Sequence, residues 1–180
     1  MAAVDQFATV LLEEAKRFLE KSKAETSADG KTAYLHTALN LGFCALEAHI
    51  NSIADDFSSR QDLSPLDRSI LLEKRVELKN GRFELVDKLK LFRLEERMEY
   101  FHRKFSGKPL DKSVSWWSQL KDGLDLRNGL THPKNEPQVD EKLVSRALQA
   151  IIDAIDSLYK AVYKKRFPGI RRSLNSNLTF

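Results

Sequence analysis

The stretch LGFCALEAHINSIA, residues 41–54, combines a long apolar stripe with polar residues that lie beside it. Phe43, Leu46, Ile50 and Ile53 recur at steps of three and four residues, which places side chains on one face of an α-helix. The same spacing continues in both directions and predicts a long central helix over residues 31–57. Because such a stripe must be covered by other elements, the stretch predicts that further helices pack around it.

The rest of the chain shows similar periodicity. Ser64 is expected to cap a helix with Pro65 at its first position, and Asn80-Gly81 is expected to end that helix. No strand-like alternation and no internal repeat are evident. The predicted fold class is therefore all-α, an up-and-down bundle of four main helices with extra short helices. The predicted helices lie, besides 31–57, over residues 5–23, 65–79, 115–132 and 139–163, with shorter helical pieces over 83–92 and 94–105.

The length of 180 residues favours one domain, predicted over residues 1–163 with 58–110 as an elaboration. The single cysteine, Cys44, excludes an intramolecular disulfide and favours a reducing compartment. Asp5 and Glu13 interrupt the first apolar stretch, and no apolar run approaches the ~20 residues that span a bilayer. We therefore expect a cytoplasmic protein that does not associate with a membrane.

The formal net charge of +4 belongs to the last residues of the chain. Residues 164–180 contain five cations and no acid, so the remainder is close to neutral. A basic tail attracts phosphate backbones or acidic partners. A solvated, frayed terminus is the simpler interpretation, and we favour it slightly because five charges make a small cluster. The five cations are Lys164, Lys165, Arg166, Arg171 and Arg172.

Polar residues share one face of the central helix, beside its apolar stripe. His36, Asn40, Glu47 and Asn51 are separated by four, seven and four residues, and Cys44 lies along the same line. For His36 and Asn40, a solvated face is the simpler interpretation. The last two lie deeper in the apolar run, so a cleft or interface and a solvated face remain equally open.

The segment LRNGLTHPK, residues 126–134, interrupts a second apolar stripe. Trp117, Leu120 and Leu124 predict a core side chain at position 127 or 128, but Arg127 and Asn128 occupy those positions. A guanidinium on a core stripe costs free energy unless it is paired. Glu47 is the expected partner, and a purely structural bridge between two helices is the alternative to a functional pair.

His132 follows in the same segment. Pro133 disfavours the helical conformation at His132, and Gly129 loosens the preceding turn. We therefore expect the imidazole to leave the path of the helix and approach Arg127. Asn128, four residues before the histidine, would orient the ring if the turn stays helical that far. Alone, His132 would be an unremarkable cap residue before a proline.

The chemistry of these groups favours one class of reaction. The chain has no pair of His or Cys ligands at zinc spacing, no Gly-rich phosphate loop and no serine in a nucleophile elbow, so neither metal nor cofactor is expected. A histidine that moves protons and an arginine that binds phosphate suit the cleavage of RNA. The 2′-hydroxyl of RNA would be the nucleophile, and the product would carry a 2′,3′-cyclic phosphate. Since one histidine is few for both acid and base, a symmetric dimer would supply two.

Arg127, Asn128 and His132 form an R-x(4)-H sequence that resembles the R-x(4–6)-H motif of HEPN domains. Residues 115–163 resemble the motif helix, the turn and the long helix of that family. The stretch LGFCALEAHINSIA is similar to the HEPN central helix, in which a Glu and an Asn face the motif, here Glu47 and Asn51. His132 is followed by Pro133 and Lys134 rather than by x-Tyr, so the resemblance does not imply modification at such a tyrosine.

The resemblance implies a metal-independent endoribonuclease of the toxin or phage-defence class. It implies a homodimer with the motifs facing each other, and an antitoxin or regulatory protein as a further partner. Arg127 would bind the scissile phosphate, His132 would act as general base or acid, and Asn128 would orient the histidine or contact phosphate. Glu47 would hold Arg127, and Asn51 would support it. Lys134 and the tail cations would guide RNA.

Two alternatives remain. In one, the protein is a non-catalytic helical module that binds a partner protein or a nucleotide, and Arg127, Asn128 and Glu47 form a structural network. In the other, the basic tail alone drives binding of nucleic acid.

Overall fold

The computed structural model describes residues 2–134 and 137–180. Within them the chain is mostly helical and contains one two-stranded antiparallel sheet. A short π-helical segment, His102–Ser106, follows α4, and a 3-10 helix, Pro168–Arg172, follows α6. The main elements are α1 (Ala2–Ala24), α2 (Ala28–Ser58), α3 (Pro65–Leu72), β1 (Lys74–Lys79), β2 (Arg82–Leu89), α4 (Leu94–Phe101), α5 (Ser115–Thr131) and α6 (Glu141–Tyr163).

The central helix α2 is enclosed by the other long helices, α1, α5 and α6. Its predicted stripe is buried, since Phe43, Leu46, Ile50 and Ile53 are at most 1% exposed. Burying each such side chain contributes about 1.5–3 kcal/mol to the free energy of folding. The apolar face of α6 lies in the same core, which confirms the helical periodicity over both segments. None of the helices in the described ranges combines the length and apolarity that crossing a membrane requires.

Within the described residues, three helices begin at an N-cap residue whose side chain accepts a backbone hydrogen bond. Ser64 accepts a hydrogen bond from the Asp67 backbone N–H, and the Asp67 carboxylate accepts one from the Ser64 N–H. This reciprocal arrangement and Pro65 at the first position confirm the predicted start of α3. Ser27 and Asp140 cap α2 and α6 through a single hydrogen bond each, which their side chains accept from a backbone N–H.

The all-α prediction is wrong between residues 73 and 89. The helix predicted to reach residue 79 ends at Leu72, and residues predicted as helical over 83–92 form β2. Asn80 and Gly81 have φ angles of 50° and 77°, so they form a two-residue hairpin turn and not a helix end. An Asn-Gly pair flanked by alternating apolar residues favours this turn because its twist matches that of the paired strands.

The region between α2 and α5 contributes to the common core. Met98 and Phe101 of α4 are 0% exposed and pack in the same hydrophobic cluster as α2 and α6. Asp67 of α3 accepts hydrogen bonds from the Tyr100 hydroxyl and the Lys104 ammonium. These contacts hold α3 to α4 and to the π-helical segment that follows it. All three elements lie within residues 58–110, the predicted elaboration.

Residues 164–180 pack back onto the helices, in contrast to the frayed terminus that the sequence slightly favours. Phe167 is 4% exposed, and its ring lies 5.2 Å from that of Tyr159 on α6. Its N–H donates to Asp156, and the Asn177 N–H donates to Glu13 on α1. The segment is held by a buried aromatic side chain and by acids of α1 and α6, which the charge pattern alone does not reveal.

Candidate functional site

Arg127 and Glu47 meet between α5 and α2, as the interruption of the apolar stripe predicts. The Arg127 Nη2 donates to Glu47 Oε1 at 2.7 Å. The guanidinium also lies over the ring of Phe43, with its central carbon 5.5 Å from the ring centroid. The two charged side chains retain 24% and 47% exposure, so the pair is accessible to a ligand from one side.

A second arginine reaches α2 one turn further along. Arg97 of α4 is 4% exposed, and its Nη1 donates to Asn51 Oδ1 at 2.8 Å. It also pairs with Glu73 Oε2 at 3.1 Å and donates to the Leu71 carbonyl oxygen at 3.1 Å. Burial lowers the pKa of Arg97, whereas the charges of Glu73 and Glu47 raise it. Glu47 therefore interacts electrostatically with both Arg127 and Arg97, and the Asn51 side-chain oxygen accepts a hydrogen bond from Arg97.

Arg97 is not one of the site residues predicted from the sequence. The signal that points to it resembles the one for Arg127. Leu94, Met98 and Phe101 mark the apolar face of α4, and Arg97 lies three residues after the first of them. A cation on such a stripe requires polar partners, and Asn51 on the central helix accepts one of its hydrogen bonds.

An open cleft of about 390 Å³ lies beside the Arg127–Glu47 pair. It is bounded by α2, α5 and the segment that joins β2 to α4. Asn128 is exposed at its edge. The lining contains two arginines and three carboxylates, so Arg127 lies in a mixed electrostatic environment. The lining residues are Glu47, Phe92, Arg93, Leu94, Glu95, Leu124, Asp125, Arg127 and Asn128.

His132 leaves the helix where Pro133 predicts that it should. Its φ and ψ of −130° and 62° are not helical, and its N–H donates to the Asn128 carbonyl oxygen at 2.9 Å. The side chain is exposed. Among the described residues the imidazole makes no hydrogen bond to Arg127 or Asn128. It is also not part of the cleft lining. The structure therefore brings Arg127, Asn128 and Glu47 together and leaves the imidazole outside.

The predicted RNA-binding cations lie in two other places. Lys134 is exposed in the turn after α5, and residues 135 and 136 lie outside the described residues. In the tail, Arg166 pairs with Asp156 at 3.1 Å and Arg172 pairs with Glu13 at 3.4 Å. The Lys164 ammonium donates to the Ala161 carbonyl oxygen at 2.6 Å. Lys165 and Arg171 make no ion pair within residues 2–134 and 137–180, so these two remain available to a ligand.

No group of three or more His, Cys, Asp or Glu side chains in the described part of the chain is arranged to hold a metal ion. In comparisons with family models, with curated proteins and with solved structures, the chain matches none of them. The HEPN resemblance of residues 41–54 and 115–163 therefore stays a prediction made from the sequence.

Proposed function

We propose that the protein is a metal-independent endoribonuclease of the HEPN type. The observation that carries the proposal is the Arg127–Glu47 pair, which joins the helix that ends before His132 to the central helix. The three long helices that enclose α2 support a HEPN-like bundle, to which the hairpin is an addition. A cytoplasmic toxin or phage-defence protein is the setting that fits this activity.

In the proposed reaction the Arg127 guanidinium binds the scissile phosphate and stabilises the charge that develops on its oxygens. A neutral His132 takes the proton of the RNA 2′-hydroxyl as its oxygen forms a bond to phosphorus. The bond from phosphorus to the 5′-oxygen breaks, and that oxygen receives a proton from a second, protonated imidazole. The products are a 2′,3′-cyclic phosphate and a 5′-hydroxyl, so no protein nucleophile is needed.

The resting geometry leaves two requirements for this reaction. Glu47 occupies one edge of the Arg127 guanidinium at 2.7 Å, so a phosphate must share or displace that carboxylate. His132 must turn toward the cleft, or the histidine of a second copy must enter it. A homodimer with the motifs facing each other would meet the second requirement and supply both acid and base. An antitoxin or regulatory protein that covers this face would block it.

Cleavage of a defined RNA in EDTA tests the proposal. Arg127→Ala and His132→Ala should each reduce cleavage by at least about a hundredfold, in line with the loss of a charge-stabilising or acid–base group. His36→Ala is the matched control, because it removes an imidazole from the same central helix that carries Glu47. Mapping of the products should find the cyclic phosphate. Full cleavage by both site variants would end the proposal.

A non-catalytic module that binds a partner protein or nucleotide is the second candidate. It is favoured by two observations: Arg127 and Arg97 are already paired, and the His132 side chain lies outside the cleft. In that case the wild-type protein leaves RNA intact in EDTA, and binding of a ligand in the cleft is lost in Arg127→Ala. In the nuclease case, Arg127→Ala stays folded, binds RNA more weakly and does not cleave it.

A further inference from the structure

The β-hairpin and the segment that follows it expose large apolar side chains. Leu78 and Phe83 lie directly opposite each other near the turn and are 65% and 66% exposed. Leu89 and Leu91, where the hairpin rejoins the domain, are 74% and 71% exposed. Scattered apolar residues on a surface are ordinary, but an apolar face concentrated on one protruding element indicates an interaction surface.

The hairpin also has an open edge. In the described part of the chain the sheet consists of β1 and β2 alone, so the outer backbone groups of β2 have no partner strand. A two-stranded hairpin is marginally stable by itself, and an unpaired edge is a template for another strand. Pairing along this edge would satisfy the backbone and cover Phe83 in the same contact.

The charged face of the hairpin carries like charges opposite each other. Lys79 faces Arg82, and Glu77 faces Glu84. Like charges at directly opposite positions destabilise a strand pair. Lys88 forms an ion pair of 3.0 Å with Glu77 and so reduces the repulsion between the two glutamates. Arg82 and Glu84 have no ion-pair partner among the described residues. The edge strand therefore presents the sequence Arg82-Phe83-Glu84 with both of its charges uncompensated.

We propose that β2 pairs antiparallel with β2 of a second copy, about a two-fold axis at Phe83. Lys79 and Arg82 flank the two-residue turn, so their backbone groups hydrogen bond to each other. The N–H and C=O of Phe83 then point to the open edge, where they meet those of the partner's Phe83. In this register Arg82 lies opposite the partner's Glu84, in the closer type of strand pair. The occupant that matches this edge in charge and register is the same edge of another copy.

The opposite edge of the hairpin fits a second copy less well. The Lys74 carbonyl oxygen at the outer side of β1 already accepts a hydrogen bond from Ser69 of α3. Glu73 pairs with Arg97, and Glu77 pairs with Lys88, so the acids along β1 are already in use. The β2 edge alone combines a free charge pair with an exposed aromatic residue.

This contact is separate from the Arg127 cleft and does not rest on the proposed nuclease activity. The cleft is lined by Phe92 to Glu95, beyond the end of β2, whereas Phe83 lies beside the turn. Pairing at Phe83 would place the two clefts at opposite ends of a four-stranded sheet. A motif-facing dimer would use another surface, so a protein with both contacts would form larger assemblies.

Analytical ultracentrifugation across a wide range of concentration tests the contact. The wild type should approach twice its mass of 20.6 kDa as the concentration rises. Arg82→Glu alone and Glu84→Arg alone place like charges opposite each other on both sides of the axis, so each should weaken the dimer about tenfold or more. The double variant Arg82→Glu/Glu84→Arg restores the pairing and should recover the wild-type association.

Phe83→Asp should leave a folded monomer. Leu66→Asp, at a side chain on α3 that is equally exposed, is the matched control and should leave the association unchanged. Circular dichroism of each variant shows whether the domain is folded. A wild type that stays monomeric at every concentration overturns the proposal. A double variant that fails to recover the wild-type association also overturns it. The same holds if the protein is a monomer and its hairpin variants lose only the binding of single-stranded RNA.

Discussion

The Arg127 guanidinium on α5 donates a hydrogen bond of 2.7 Å to the Glu47 carboxylate on α2, and thereby joins residues 80 positions apart in the sequence. One turn along α2, Asn51 accepts a similar bond from Arg97 of α4. The two arginines differ in burial, since Arg97 is 4% exposed and the Arg127 side chain is 24% exposed. The Arg97 contact is therefore enclosed by the fold, whereas the Arg127 contact stays accessible from the surface.

We expect Arg97→Met to destabilise the fold far more than Arg127→Met. Removing the Arg97 guanidinium leaves the Leu71 carbonyl oxygen and the largely buried Glu73 carboxylate without their partner, which costs about 3 kcal/mol. The Arg127–Glu47 pair is partly solvated, so its loss should cost less than about 1 kcal/mol. Urea unfolding of both variants measures the two losses. Equal losses would show that Arg127 is as structural as Arg97, and would favour the non-catalytic module.

His49 should make stability depend on pH. Its side chain is 0% exposed, neither ring nitrogen has a hydrogen-bond partner among the described residues, and burial lowers the pKa of His49 to about 4, although the Asp5 carboxylate opposes the shift. In the unfolded chain the imidazole takes up a proton near pH 6.5. Stability is therefore complete above that pH and falls as the pH drops toward 4, by up to about 3 kcal/mol.

The variant His49→Phe isolates this contribution, because it keeps an aromatic ring beside Tyr159 and Phe167 and removes the titration. Denaturant unfolding at a series of pH values should give a shallower loss for the variant than for the wild type between pH 6.5 and 4. Identical slopes would show that His49 takes up its proton over the same pH range in the folded and the unfolded protein. The carboxylates are common to both proteins and cancel in the comparison.

Gly123 and Gly129 lie on the same helix, but only Gly123 should be destabilised by substitution with alanine. A Cβ at Gly123 would lie 2.6 Å from the Ala147 Cβ, so Gly123→Ala should push α5 away from α6 and cost about 1–3 kcal/mol. A Cβ at Gly129 would come no closer than 3.8 Å to the Pro137 Cβ. Gly129→Ala should therefore be neutral, or stabilise by about 0.5–1 kcal/mol. Thermal unfolding measures both changes, and similar effects would contradict the close packing of α5 on α6.

Asp156 should anchor the basic tail. Its side chain is 5% exposed, and it accepts hydrogen bonds from the Phe167 N–H at 2.9 Å and from Arg166 Nε at 3.1 Å. Asp156→Ala should lower stability by about 1–3 kcal/mol and make residues 164–180 sensitive to protease. Lys160→Ala, which removes the half-exposed partner of the same carboxylate, is the control and should cost less than about 1 kcal/mol. A tail that stays protected in Asp156→Ala would show that Phe167 and the contacts to Glu13 on α1 hold it without Asp156.

The helical part of this fold was predictable from local pattern. The boundaries of α1, α2, α5 and α6 lie within a few residues of those predicted, because a long stripe at helical spacing is specified again in every turn. The hairpin was not predictable in this way, because residues 74–89 include many that also favour helices. The local signal for the hairpin was the Asn80-Gly81 pair, whose φ angles are both positive.

The sequence by itself determined which polar residues must find partners. Arg127 interrupts an apolar stripe, and a guanidinium in that position requires an acid wherever it lies in the chain. Pro133 likewise determined where α5 would end, since the effect of a proline on the preceding residue is local. The tertiary structure alone decided that Arg97 hydrogen bonds to Asn51 and that Phe167 packs the cationic tail against α6. It also decided that the His132 side chain lies outside the cleft. Those outcomes depend on packing between segments far apart in the chain, which a periodic pattern does not encode.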